Sequence, residues 1–166
     1  MIKYVQTEVV FSEIPDEITL AINISNCQNH CPGCHSAYLR TDIGEELTTE
    51  KLDSLIQDNM GITCVCFMGE GNDPEALQAL ISYLKIKTRL KVGLYSGREN
   101  VDEDFYWDNL DYLKIGPYVK EWGPLNCSAT NQRLYGAVNI NKAINVHGKW
   151  RSHWADITNK FWKKEI

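Results

Sequence analysis

Four apolar runs, each separated from the next by a segment of helical or turn-like character, constrain the fold of this chain more than any other feature. They are "EITLAINIS" (17–25), "ITCVCFMG" (62–69), "LKVGLYSG" (90–97) and "LDYLKIGPY" (110–118). Runs this continuous read as strands buried on both faces, the pattern of parallel strands covered by helices. Strands alternating with helices imply right-handed crossovers, so the expected fold class is α/β: a partial, open (β/α) barrel of mostly parallel strands.

The intervening segments support that reading. "LTTEKLDSLIQDN" places Leu47, Leu52, Leu55 and Ile56 at helical spacing, with Thr48 or Thr49 as N-cap and Gly61 as a stop. "DPEALQALISYLKIK" begins with an Asp cap and Pro74 in the first turn. The acidic "NVDEDFYWDNL" is a further expected helix. Beyond the fourth strand, "GPLNCSATNQRLY" reads as a loop, "GAVNINKAINVHG" as a hairpin and "DITNKFWKK" as a short closing helix. No linker, repeat or low-complexity segment divides the 166 residues. One domain over 1–166 is expected, with a C-terminal extension from about residue 137 whose role is structural.

Composition narrows the function classes. A formal net charge of −5 opposes a phosphate backbone, and only Lys163-Lys164 is a basic run, so nucleic acid is not an expected partner. No run approaches the roughly 18 apolar residues of a membrane span, and Glu and Asp interrupt the N-terminus where a signal peptide needs an apolar core. A cytoplasmic location is the expectation, and six cysteines in a reducing compartment suggest metal binding or catalysis more than bridges.

Three of those cysteines lie in "NCQNHCPGCHS" (26–36), directly after the first apolar run. Cys27, Cys31 and Cys34 are spaced C-x3-C-x2-C with no fourth cysteine nearby. A structural zinc ion wants four closed ligands, and His30 or His35 would have to complete the set. A thioredoxin-like pair, Cys31 and Cys34, has no use for Cys27. Three unconnected core thiols do not suit a loop punctuated by Asn, Pro and Gly. A [4Fe-4S] cluster explains the count, because three thiolates leave one iron open to a small molecule. Cys64 and Cys66 alternate on a strand and read as small core residues.

The position of that spacing after a first α/β strand resembles the radical S-adenosylmethionine superfamily. More narrowly, the chain is similar to the anaerobic ribonucleoside-triphosphate reductase activating proteins. The resemblance runs from roughly the first apolar run to the Asn-Gln loop and rests on the order and spacing of motifs. "FMGEG" lies where that family has a Gly-Gly-acid turn: Gly69 and Glu70 match, while Met68 replaces the first glycine. "LYSGR" resembles its aromatic-Thr-Gly segment, with Ser96 in the hydroxyl position. "LKIGPYVKE" and "SATNQR" resemble its fourth strand and Ser-x-Asn-Gln loop, matched by Asn131, Gln132 and Arg133. Gly33 before the third cysteine agrees with the reductase activases.

The resemblance implies an oxidoreductase, a glycyl-radical activase of the radical S-adenosylmethionine fold type. Its implied cofactors are a [4Fe-4S] cluster on Cys27, Cys31 and Cys34, and S-adenosylmethionine on the open iron. Gly69 and Glu70 would hold the methionine end, and Gly33, Cys34 and His35 the adenosine end, where His35 stacks on adenine or instead caps the next helix. Ser96 would bond the ribose or carboxylate. The implied partners are the anaerobic ribonucleoside-triphosphate reductase, on which a glycyl radical is formed, and an external one-electron reductant such as flavodoxin. Lys114, at the end of the fourth strand, would either neutralise the cofactor carboxylate or be a surface lysine. The competing expectations are an activase of another glycyl-radical enzyme and a non-catalytic iron–sulfur or zinc protein.

Overall fold

The computed structural model describes residues 1–100, 109–138 and 154–162. Eight strands form one sheet: β1 (Lys3–Val10), β2 (Thr19–Ile24), β3 (Glu45–Glu46), β4 (Cys64–Met68), β5 (Lys91–Tyr95), β6 (Tyr112–Ile115), β7 (Arg133–Ala137) and β8 (Trp154–Asp156). Their order across the sheet is β3-β1-β2-β4-β5-β6-β7-β8. The helices are α1 (Thr49–Asp58) and α2 (Pro74–Lys87).

The four apolar runs become β2, β4, β5 and β6, and these neighbours pair in parallel. The expectation of mostly parallel strands is corrected at the flanks, where β1, β3, β7 and β8 pair antiparallel. Only three of the seven pairings among the described residues are parallel. The reason is local: β1 and β2 are joined directly by residues 11–18, and β6 and β7 by a loop, so neither pair has the helical crossover that parallel pairing requires. β1 carries no continuous apolar run and alternates only loosely between half-buried and exposed positions, which hid it in the sequence.

Both expected helix starts are present. Thr48 caps α1, its Oγ1 accepting from the Lys51 N–H at 3.1 Å, and Asp73 caps α2 by accepting from the Ala76 N–H at 3.1 Å ahead of Pro74. α1 ends at Asp58 with Asn59 as its C-cap, and Gly61 follows with φ +96°. Thr48→Ala is expected to destabilise the protein by about 1 kcal/mol in urea unfolding, the usual cost of an uncapped helix start.

The two helices cover one face of the sheet. Leu52, Leu77, Ile81 and Leu84 pack there against Ile22, Ile24, Val65, Phe67, Leu94 and Leu113, all fully buried. Each such side chain contributes roughly 1.5–3 kcal/mol of burial. The opposite face carries a second cluster, in which Cys64 and Cys66 pack with Ile14 and Leu134. Burial pushes the Cys64 thiol up to about 12 and Cys66 well above the ordinary range, so both are neutral core residues as expected.

Residues 101–108 of the acidic segment and 139–148 of the expected hairpin lie outside the described residues. The closing segment is a 3-10 turn, Thr158–Phe161, and β8 adds an edge strand beside β7. Thr158 anchors it by accepting the Leu134 N–H at 2.9 Å.

Candidate functional site

Strand register brings the chemistry-bearing segments to one edge. Asn23 pairs with Met68, Met68 with Tyr95 and Tyr95 with Lys114, so these four residues form a transverse row near the C-terminal ends of the parallel strands. The cysteine loop, "GEGND", "SGR" and "GPY" all issue just beyond that row.

The cysteine loop is closed at its neck by backbone bonds from Asn26 N–H to the Thr41 carbonyl (3.3 Å) and from Cys27 N–H to the Leu39 carbonyl (2.9 Å). Within it, Cys34 N–H donates to the Cys31 carbonyl at 3.2 Å across Pro32-Gly33, and Gly33 has φ +73°. Proline then a left-handed glycine is the chemistry of a type II turn, which sets Cys31 and Cys34 at its two ends. A Cβ on Gly33 would meet nothing closer than Tyr118, at 3.8 Å, so the backbone angle rather than crowding asks for glycine here.

Cys27, Cys31 and Cys34 are half-buried free thiols. Burial pushes the Cys27 thiol up, and the neighbouring Cys31 and Cys34 add to the shift while Arg40 opposes it. Among the described residues no three His, Cys, Asp or Glu side chains converge as they would around a single metal ion.

Glu70 stands next to this loop, only 8% exposed. Its Oε2 accepts from Ser96 Oγ at 2.5 Å and from Arg98 Nε at 3.1 Å, whereas its buried Oε1 has no partner. A buried carboxylate oxygen left unmatched is an acceptor awaiting a donor. Glu70 lines a cavity of about 120 Å³ together with Gln28, Asn29, Gly71, Asn72 and Arg98. Gly69 makes the turn possible with φ +113° and donates its N–H to the Tyr95 carbonyl at 3.0 Å.

Ser96 is 1% exposed, and its hydroxyl both donates to Glu70 and accepts the Arg98 N–H at 3.1 Å. In the structure the Ser96 hydroxyl is thus engaged with Glu70 and the Arg98 backbone. No family model, curated protein or solved structure matches the chain. What the arrangement can do therefore rests on its own residues.

A larger cavity, about 600 Å³, opens on the other side of the loop, lined in part by Glu13, Cys34, His35, Tyr95, Lys114 and Tyr118. That volume falls inside the roughly 300–1,000 Å³ of ligand pockets. His35 packs against Tyr118 with ring centroids 5.3 Å apart and tilted by 55°. His35 does not cap the next helix, because the short turn Ala37–Arg40 starts from Ser36.

Lys114 is not a surface lysine. It is 8% exposed, donates from Nζ to the Gly116 carbonyl at 2.8 Å and lies 5.8 Å from the Tyr95 ring centroid. Burial lowers its pKa to about 8, while Cys31, Cys34 and Cys27 pull it back up, and it shares the larger cavity with Cys34. Its position at the C-terminal end of a central strand, in register with Tyr95, was the signal that could have revealed it.

Asn131 Nδ2 donates to the Pro117 carbonyl at 3.0 Å and Gln132 Nε2 to the Gly116 carbonyl at 3.4 Å. Both residues thus brace the turn that carries Tyr118, while Arg133 lies on β7 within 3.7 Å of Asp156. Among the described residues no helix is long and apolar enough to cross a membrane.

Proposed function

We propose that this chain is a radical S-adenosylmethionine activase that generates a glycyl radical on the anaerobic ribonucleoside-triphosphate reductase. The observation that carries the reading is the juxtaposition of three free thiols on one closed loop with a buried carboxylate whose second oxygen lacks a donor. A [4Fe-4S] cluster held by Cys27, Cys31 and Cys34 would supply one-electron chemistry from an external reductant such as flavodoxin for the reductive cleavage of S-adenosylmethionine, the source of the hydrogen-abstracting radical that a glycyl-radical partner requires.

The residues present fit those groups. Cys27, Cys31 and Cys34 are the cluster's thiolates, held on a loop whose neck and turn are already hydrogen-bonded. Glu70 Oε1, which has no partner, would accept from the methionine ammonium, with Oε2 held by Ser96 and Arg98. Met68, where the family has a glycine, lies on β4 paired with Tyr95, so the turn glycines here are Gly69 and Gly71. His35 and Tyr118 form an aromatic wall suited to a purine. Lys114 would supply a buried positive charge to the cavity that it lines with Cys34.

Anaerobic reconstitution with iron and sulfide, followed by reduction with S-adenosylmethionine present, tests the reading through 5′-deoxyadenosine. Adding the anaerobic reductase should then give a glycyl radical signal in electron paramagnetic resonance. A zinc-loaded protein from anaerobic purification, or no 5′-deoxyadenosine from the reconstituted one, overturns it. A radical formed only on a different glycyl-radical enzyme reassigns the partner.

A further inference from the structure

The cysteine loop leaves the sheet at Asn26 and is closed at Leu39 and Thr41 by the two backbone bonds of its neck. Arg40 sits between those two closing residues. Its side chain turns back across the loop and donates from Nη2 to the Cys31 carbonyl at 2.6 Å. The same carbonyl accepts the Cys34 N–H, so one oxygen joins the turn bearing two of the thiols to the stem of the loop. Arg40 Nε is buried and has no partner.

The geometry points to Arg40 as a positioning residue of the thiol site: Nη2 holds the Cys31–Cys34 turn, and the buried, unpartnered Nε is the donor left for an anionic sulfur bound there. This rests on the reading of the three thiols as a [4Fe-4S] site. A guanidinium suits the task because its donors point in fixed directions from one plane, so one nitrogen can hold the loop while another faces the ligand. Hydrogen bonds and positive charge near a cluster's sulfurs raise its reduction potential, since the reduced form is the more negative one. Arg40 therefore acts on loop order, cluster retention and potential together.

The test compares Arg40→Met and Arg40→Lys with the wild-type full chain. In the metal-free protein, Arg40→Met should speed hydrogen exchange at the Cys27 and Cys34 amides by about 10-fold, the size of one bond to a charged group, with α1 and α2 unchanged. After anaerobic reconstitution, it should lose iron and sulfide to a chelator roughly 10–100-fold more readily. Its midpoint potential should shift negative. Arg40→Lys keeps the charge without the fork and should recover the potential but not the slow exchange. Wild-type exchange in the loop of Arg40→Met, or wild-type retention and potential, overturns the assignment. If the wild-type chain takes up no iron and sulfide, the cluster reading fails by itself. The exchange measurement then still decides whether Arg40 holds the loop.

Discussion

Cys31→Ser is expected to abolish iron and sulfide uptake and, with it, 5′-deoxyadenosine formation. A serine hydroxyl is a hard, weakly acidic donor in place of a soft thiolate, and iron–sulfur clusters select thiolates. The loss should exceed the roughly 10–100-fold that follows removal of an outer-shell partner. The substitution isolates ligation from folding, because the Cys31 groups that organise the loop belong to its backbone: the carbonyl accepts from both Arg40 and Cys34. Cys127→Ser is the matched control. Cys127 lies in the loop before β7, where its N–H donates to the Pro124 carbonyl at 2.9 Å, and its replacement should leave uptake intact. Iron and sulfide analysis per chain reads both variants, and a Cys31→Ser protein that loads and cleaves as the wild type does would rule out the proposed site.

Glu17→Ala is expected to lower stability by about 2–4 kcal/mol in urea or thermal unfolding. The Glu17 side chain is 5% exposed and takes three donors, Lys91 Nζ at 2.6 Å, Thr63 Oγ1 at 2.5 Å and Tyr112 OH at 2.6 Å. Removing one partner of a buried pair typically costs about 3–5 kcal/mol, and the estimate is reduced because half-exposed Lys91 can rehydrate. Burial pushes the Glu17 carboxyl up, but the bonds from Lys91, Thr63 and Tyr112 outweigh it and leave the carboxyl below its ordinary value. Its stabilisation is therefore fully present above the unfolded carboxyl value and is lost as pH falls through the lower folded one. Lys91 is raised, chiefly by Glu17, and Tyr112 is raised to about 12 by burial and then Glu17; both contributions are lost only as pH rises through those values. The gap between wild type and variant should hold constant near neutrality and close in acid. A gap that persists unchanged into strong acid would show that the ionised carboxylate is not its source.

Elements with a strong local signal were legible. Asp73-Pro74 predicts the start of α2 because the cap and the proline act within one turn, and β4 announces itself as an unbroken apolar run. β1 and β3 were not, because their residues alternate weakly and their place depends on which edge of the sheet is open. The site shows the same division. The cysteines stand out by type and spacing, and Gly69 and Glu70 only through the family resemblance, whereas the service of Arg98 and Ser96 to Glu70 joins segments about 26–28 residues away in the chain. Lys114 misleads by type alone, since lysine is rarely buried and only register with Tyr95 puts it inside.

The amino-acid sequence by itself determined the alternation of apolar runs and helices, the helix caps, and a loop with three thiols and a Pro-Gly turn. These follow from interactions a few residues long. Only the tertiary structure decided the antiparallel flanks, the burial of Lys114, the unmatched oxygen of Glu70 and the reach of Arg40 to Cys31. Each of those depends on residues far apart in the chain becoming neighbours, and local propensity carries no record of such distances.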